Sequence, residues 1–256
     1  MKILATYNIK GGVGKTSTAV NLGYLAARDG YRVLLWDLDP QGAASFLFRV
    51  RPRVKGGGKA LIQGRRPLDD AIKGTDFDNL DLLPADFTYR NLDLLLDAAK
   101  KPERRLASLL APLRHEYDAV ILDCPPSISL LSESVLHAAD LLLVPLIPTT
   151  LSVRTLDQLT EFVGEFNGHR PKVLAFFSMV DRRKRLHTEI TRDLPAQRRD
   201  FATVAIPALS VIERMSVQRA PVTAFAPRSA AARQYALLWQ EARQRSGLRL
   251  PRPAAS

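Results

Sequence analysis

The sequence is poor in cysteine. A single one, Cys124, occurs in 256 residues, so no internal disulfide can form and no metal site can be built from several thiolates of one chain. A lone thiol also fits a reducing compartment. Long apolar runs are missing: no uncharged stretch reaches the ~18 residues that a membrane-spanning helix needs. Lys2 is followed at once by a strand-like pattern rather than an apolar leader, and secretion is not expected. Low-complexity linkers and internal repeats are absent too, which argues against arrays and tethered modules.

What is present suits one packed domain. The apolar fraction is 46% and the charged fraction 25%, enough for a large core with an ordinary surface. Charge is unevenly spread. Of the net +11, residues 182–256 contribute +10 from 15 basic and 5 acidic side chains, and residues 1–181 only +1. Such asymmetry points to a polyanionic partner for the last third.

Short apolar runs at 3–7, 33–36, 80–83, 119–122, 141–146, 173–177 and 203–206 read as buried strands. Helical patterns fall at 16–29, 89–99, 103–114, 129–138, 153–166, 187–199 and 229–245. Strands separated by helices predict an α/β fold with a doubly wound, mostly parallel sheet that binds ligands at the carboxyl ends of its strands. The whole of 1–256 reads as one domain, with 51–66 an exposed basic loop and 247–256 a flexible tail.

The first strand runs into Ile9-Lys10-Gly11-Gly12-Val13-Gly14-Lys15-Thr16-Ser17-Thr18. Glycines let the backbone turn its N–H groups onto an anion, and the following helix adds a favourable dipole. Lys15 is placed for the β- and γ-phosphates and the Thr16 hydroxyl for Mg²⁺. After the second strand come Asp37, Asp39, Pro40, Gln41 and Gly42. Two carboxylates two residues apart face one side; both could serve a metal-bound triphosphate, or Asp39 could be a helix cap. Val120-Ile121-Leu122-Asp123 is an apolar strand ending in a carboxylate, the Walker B pattern, with Asp123 a magnesium ligand. Cys124 has no basic sequence neighbour to lower its pKa and reads as packing.

Ile9 replaces the first glycine of the ordinary G-x-x-x-x-G-K-[ST] loop, and a second lysine, Lys10, follows. This resembles the deviant Walker A box of the ParA/MinD family of ATPases, and Asp37 to Gly42 and Asp123-Cys124-Pro125-Pro126 resemble that family's D-x-D-P-Q-G and I-I-D-C-P-P segments. The resemblance implies a P-loop ATPase fold with ATP and Mg²⁺ as ligands. It implies nucleotide contacts from Gly11, Gly12, Val13, Gly14, Lys15, Thr16 and Ser17, and a role for Lys10 across an ATP-dependent homodimer. Lys10 could instead be merely solvated. It further implies that Asp39 orients the attacking water, that Asp37 supports the metal, and that Ser178 and Pro207 lie at the base pocket. At Ser178 the family often has Asn or Thr. The likeness continues loosely to about residue 245.

Within that family the sequence separates several tasks. A bridging iron–sulfur cluster needs two cysteines per subunit, and a tyrosine-kinase tail needs a tyrosine cluster; neither exists. The last ten residues contain Pro251 and Pro253 with only two leucines, a poor membrane anchor. The resemblance is strongest to the small Soj-like partitioning proteins. They bind DNA without sequence specificity, work in the cytoplasm on the nucleoid, and hydrolyse ATP slowly under stimulation by a ParB-like adaptor. Candidate DNA contacts are Arg182, Arg183, Lys184, Arg185, Arg214 and Arg219, with Arg192, Arg198 and Arg199 nearby. The cargo implied is a chromosome, a plasmid or a protein assembly. A membrane-cycling MinD-like regulator and an ATP-dependent metabolic synthetase are the alternatives. No helix-turn-helix precedes the loop, and operator recognition is not expected.

Overall fold

The computed structural model describes residues 1–166 and 169–251. Five apolar strands form the centre of the sheet because their residues are buried on both faces, as parallel strands under helices must be. They are β1 (Lys2–Thr6), β2 (Val33–Asp37), β4 (Leu80–Leu83), β5 (Ala119–Asp123) and β6 (Leu141–Leu146). With β3 (Lys73–Gly74), β7 (Lys172–Val180) and β8 (Phe201–Pro207) they give the order β3-β4-β2-β5-β1-β6-β7-β8. All pairings are parallel except the short β3–β4 edge. The doubly wound α/β expectation holds.

Helices cover both faces. Against one face lie α1 (Lys15–Arg28), α2 (Ala43–Leu47) and, from the chain's far end, α12 (Ala230–Ser246). Three short helices, α9 (Ser210–Glu213), α10 (Met215–Gln218) and α11 (Val222–Phe225), join that layer. On the other face are α3 (Gly57–Ile62), α4 (Leu92–Asp97), α5 (Arg105–Leu110), α6 (Leu130–Ala138), α7 (Thr150–Gly164) and α8 (Arg185–Gln197). α12 is tied to the α1 end: the Trp239 indole N–H donates to Asp29 at 2.8 Å, and its ring meets Tyr31 edge-on at 5.9 Å.

Several local readings change. The helix expected over 89–99 is a 3₁₀ turn, Phe87–Asn91, capped by the Asp86 carboxylate at the Thr88 N–H, and only then α4. That expected over 103–114 is broken into 3₁₀, α5 and 3₁₀ pieces, with a proline at the start of each 3₁₀ turn. The 51–66 segment is not a plain loop. It contains α3, whose Leu61 and Ile62 are buried in the core with Val54, while its cationic side chains stay at the surface. Gly56, Gly57 and Gly58 had disguised it as a breaker. In the expected tail, Gly247 closes α12 with φ 71° and Leu248 packs onto the core beyond it. Residues 252–256 lie outside the described residues.

Candidate nucleotide site

The loop after β1 is shaped by two glycines with positive φ, Gly12 at 70° and Gly14 at 95°. Gly14 sits at the head of α1, where a Cβ would stand 2.9 Å from the Ser178 hydroxyl. Only glycine fits both the angle and the space. Lys15 begins α1 and is buried, its Nζ donating to the Lys10 carbonyl at 2.9 Å. Burial lowers its pKa, while Asp123, Cys124 and Asp39 pull it back up. The lysine lies curled beneath its own loop, within reach of an anion that the loop would hold.

Two carboxylates lie buried at neighbouring strand ends. Asp37 ends β2 and Asp123 ends β5, opposite each other in register. One oxygen of Asp37 accepts from the Ser45 N–H at 2.8 Å and hydroxyl at 2.7 Å, and one of Asp123 accepts from the Thr6 hydroxyl at 3.2 Å. The other oxygen of each, Asp37 Oδ1 and Asp123 Oδ2, is buried with no partner. Burial pushes Asp37 up to about 6; burial and the Asp37 charge push Asp123 up to about 8, with Thr16 beside it opposing the rise. A divalent cation fits this pair, since it would satisfy both orphaned oxygens and cancel their repulsion. Among the described residues no group of three or more His, Cys, Asp or Glu could cage a metal. Such a donor set suits magnesium, which keeps waters and shares phosphate oxygens.

Beside the loop opens a cleft of about 650 Å³, whose lining includes neither Asp37 nor Asp123. Gly11, Gly12, Gly14, Lys15, Thr16, Ser17, Asp39, Ser178 and Pro207 all line it. Val13 is buried beneath, anchoring the turn. Asp39 accepts from the Gln41 N–H at 2.9 Å. Apolar residues of the lining are Ile206, in the stretch expected at the base pocket beside Pro207, and Phe46, Leu47, Ile212, Met215 and Tyr235, which sequence reasoning missed. Met179 has φ 55° at a register shift in β7, a bulge that turns the strand end into the cleft. Cys124 is fully buried with its thiol pKa raised, a packing residue.

Lys10 is not part of the cleft wall. Its N–H donates to Asn8 Oδ1 at 2.9 Å and its Nζ lies 3.5 Å from Ser152 Oγ, at the start of α7. Of the basic candidates, Arg182, Arg183, Lys184, Arg185 and Arg214 are exposed. Arg183 pairs with Asp181 and Arg185 with Glu189. Arg219 stacks over Phe46 at 4.6 Å and donates to the Phe46 carbonyl, which engages it within the fold. Arg198 is clamped between Asp157 and Asp200.

A family model described as an AAA domain matches residues 1–176. Over 247 residues the chain is 34% identical to the sporulation initiation inhibitor protein Soj of Bacillus subtilis, covering 94% of this chain and 97% of that one. It is 34% identical over 203 residues to the chromosome partitioning protein ParA of Caulobacter vibrioides, covering 77% and 76%. This chain belongs to the ParA/MinD family of deviant Walker A ATPases. The structure of cobyrinic acid a,c-diamide synthase from Mycobacterium smegmatis, with bound ADP and magnesium, superposes on this ParA/MinD member with a TM-score of 0.78. That pair is 27% identical over 100% of both chains. No helix of this ParA/MinD protein, among the described residues, is long and apolar enough to cross a membrane.

Proposed function

We propose that the protein is an ATP-dependent dimerising switch that binds DNA without sequence specificity and partitions or positions a cargo. The observation that carries the reading is the pair of uncommitted, buried carboxylate oxygens at the paired ends of β2 and β5, with Asp123 close enough to the buried Lys15 to raise its pKa. ATP would lie in the cleft with its phosphates on the loop amides and Lys15. Thr16, Asp37 and Asp123 would hold Mg²⁺, which when bound neutralises phosphate charge. Asp39 would orient the attacking water, and Ser178 and Pro207 would flank the base. Lys10 would leave Ser152 and reach the nucleotide of a second subunit, as an arginine finger does. The exposed Ile128 (74%), which lines a hollow together with Ile9, and the exposed Leu151 (61%), next to the Lys10 contact Ser152, suit a face that a second copy covers. Loss of γ-phosphate contacts on hydrolysis would open the dimer and release DNA. Stimulation by a ParB-like adaptor and a cytoplasmic, nucleoid-associated location complete the proposal, supported by likeness to Soj and ParA.

Retention of arbitrary duplex DNA with ATP, ADP and no nucleotide, at two salt concentrations, tests this. ATP-dependent, salt-sensitive retention supports it, and absence of retention in every state refutes it. The likeness to the Mycobacterium smegmatis synthase favours a second reading, an amidating synthetase; phosphate release that requires an organic acid and an amine donor would select it.

A further inference from the structure

The basic character of residues 51–66 is unexplained by the nucleotide cleft, and its structure is not that of a solvated loop. Arg51, Arg53, Lys55, Lys59, Arg65 and Arg66 are its six charges, with no acidic residue among them. All but the half-buried Arg66 are exposed. Beneath them the segment is fixed: Val54, Leu61 and Ile62 are core residues. The Val54 N–H donates to the Asp86 carboxylate at 2.8 Å and the Gly58 N–H to the Thr88 hydroxyl at 2.8 Å. An ordered base therefore holds six like charges together. Their mutual repulsion costs free energy that a disordered, merely solubilising segment would relax.

Ion pairing distinguishes this cluster from the C-terminal one. Among the described residues, none of the six forms an ion pair. Within Arg182–Arg185, Arg183 and Arg185 pair with neighbouring carboxylates while Arg182 and Lys184, among the described residues, do not, and farther along Arg192 and Arg198 pair as well. A paired guanidinium brings its carboxylate along to repel a phosphate; an unpaired one meets it with full charge and releases a counterion. We propose that residues 51–66 form a second DNA-backbone-binding surface, separate from Arg182–Arg185 and better provided with free cations.

Topology keeps the two surfaces apart. The 51–66 segment is pinned by Asp86 and Thr88, just beyond β4, second from one edge of the sheet; residues 182–185 follow β7, second from the other edge. Five strand spacings separate β4 from β7, roughly 24 Å. The new surface also adjoins the hydrolysis loop. A Cβ on Gly42, three residues after Asp39, would come within 3.1 Å of Pro52, so a duplex held here presses on a segment packed against the Asp39 turn. The inference rests on the DNA-binding reading but not on which C-terminal arginines take part.

The test compares three full-length proteins with ATP and Mg²⁺: the parent, Arg53→Ala/Lys55→Ala/Lys59→Ala/Arg65→Ala, and Arg182→Ala/Arg183→Ala/Arg185→Ala/Arg214→Ala. Anisotropy of a labelled random-sequence duplex is titrated at several KCl concentrations, with fluorescent-ATP binding as the check on folding. The first variant should bind at least tenfold more weakly and flatten the plot of log K against log [KCl] by about 2–4, near 0.9 for each phosphate no longer neutralised. Parental slope and affinity in that variant would overturn the inference and leave the C-terminal arginines to bind alone. A parent that binds no duplex in any nucleotide state would overturn this inference together with the underlying reading. Loss of binding to phosphatidylcholine vesicles containing phosphatidylserine, with duplex binding unchanged, would replace DNA by a membrane and also overturn it. Should the quadruple variant fail to bind ATP, Lys55→Glu and Lys59→Glu singly, each on an exposed side chain, repeat the measurement with the same deciding outcomes.

Discussion

Replacing Asp123 by asparagine should make the ligand-free protein more stable while destroying its response to magnesium nucleotide. Asp123 is fully buried, one of its oxygens lacks a partner, and its pKa is pushed up to about 8. In the unfolded chain it would ionise near 4. Because the folded pKa is raised, the native state binds more protons than the unfolded one between these limits. This site's penalty is therefore absent below about pH 4, grows as pH rises, and levels off above about pH 8. A four-unit shift corresponds to ~5 kcal/mol at most; structural relaxation, water entry and coupling to Asp37 reduce it, and ~2 kcal/mol is the working figure. The neutral, nearly isosteric amide escapes that penalty. For a chain of this size Asp123→Asn should melt about 4–8 °C above the parent at pH 8 without ligand, with the gap closing toward pH 4.5. Added Mg²⁺ and ATP should raise the parent's melting temperature and leave the variant's nearly unmoved. Circular-dichroism melts at three pH values, with and without ligand, decide the matter. A variant less stable than the parent at pH 8, by an amount independent of pH, would refute the idea that an uncompensated charge is stored there.

Three further perturbations probe the same machinery. Asp39→Ala should retain ATP binding in calorimetry yet slow phosphate release at least tenfold; unchanged turnover would remove Asp39 from the water-orienting role. Gly11→Val should fold and bind ATP normally, since a Cβ there meets only Pro126 Cγ at 4.0 Å, but should elute as a monomer with ATP when sized by light scattering. A dimer at parental concentration would place the subunit interface elsewhere. Gly14→Ala combines a left-handed φ of 95° with a 2.9 Å approach to Ser178 and should cost more than ~1 kcal/mol in denaturant titrations. If Ser178→Gly restored all of that loss, crowding alone would be responsible; partial recovery is expected because the backbone strain remains.

The site was legible where chemistry and chain order coincide. Gly12, Gly14, Lys15 and Thr16 lie close together at a strand-to-helix turn, and Asp37, Asp39 and Asp123 stand at the ends of apolar strands, so motif order and resemblance, with a parallel sheet that gathers strand ends, predict that they meet. The apolar half of the cleft was not. Phe46, Ile212, Met215 and Tyr235 come from four separate helices that sheet topology brings together, and each looks like an ordinary core residue along the chain. The alternation of strands and helices settled the fold class, yet 3₁₀ turns around Pro102 and Pro112 passed for continuous helices because their apolar spacing is helical. α3 escaped notice because its buried apolar side chains, Leu61 and Ile62, follow three glycines. Charge composition located an excess of arginine but not its pairing: Arg198 and Arg219, counted as free cations, are bound within the fold.

Tyr235 on α12 lines the cleft, and Trp239 on the same helix is latched to Asp29. The pocket is thus stitched from opposite extremes of the chain, about 220 positions apart by the spacing of Lys15 and Tyr235. While translation is under way, the glycine loop will have left the ribosome long before Tyr235. Until α12 has been made and packed, a nascent chain carries the loop but lacks one wall of the cleft.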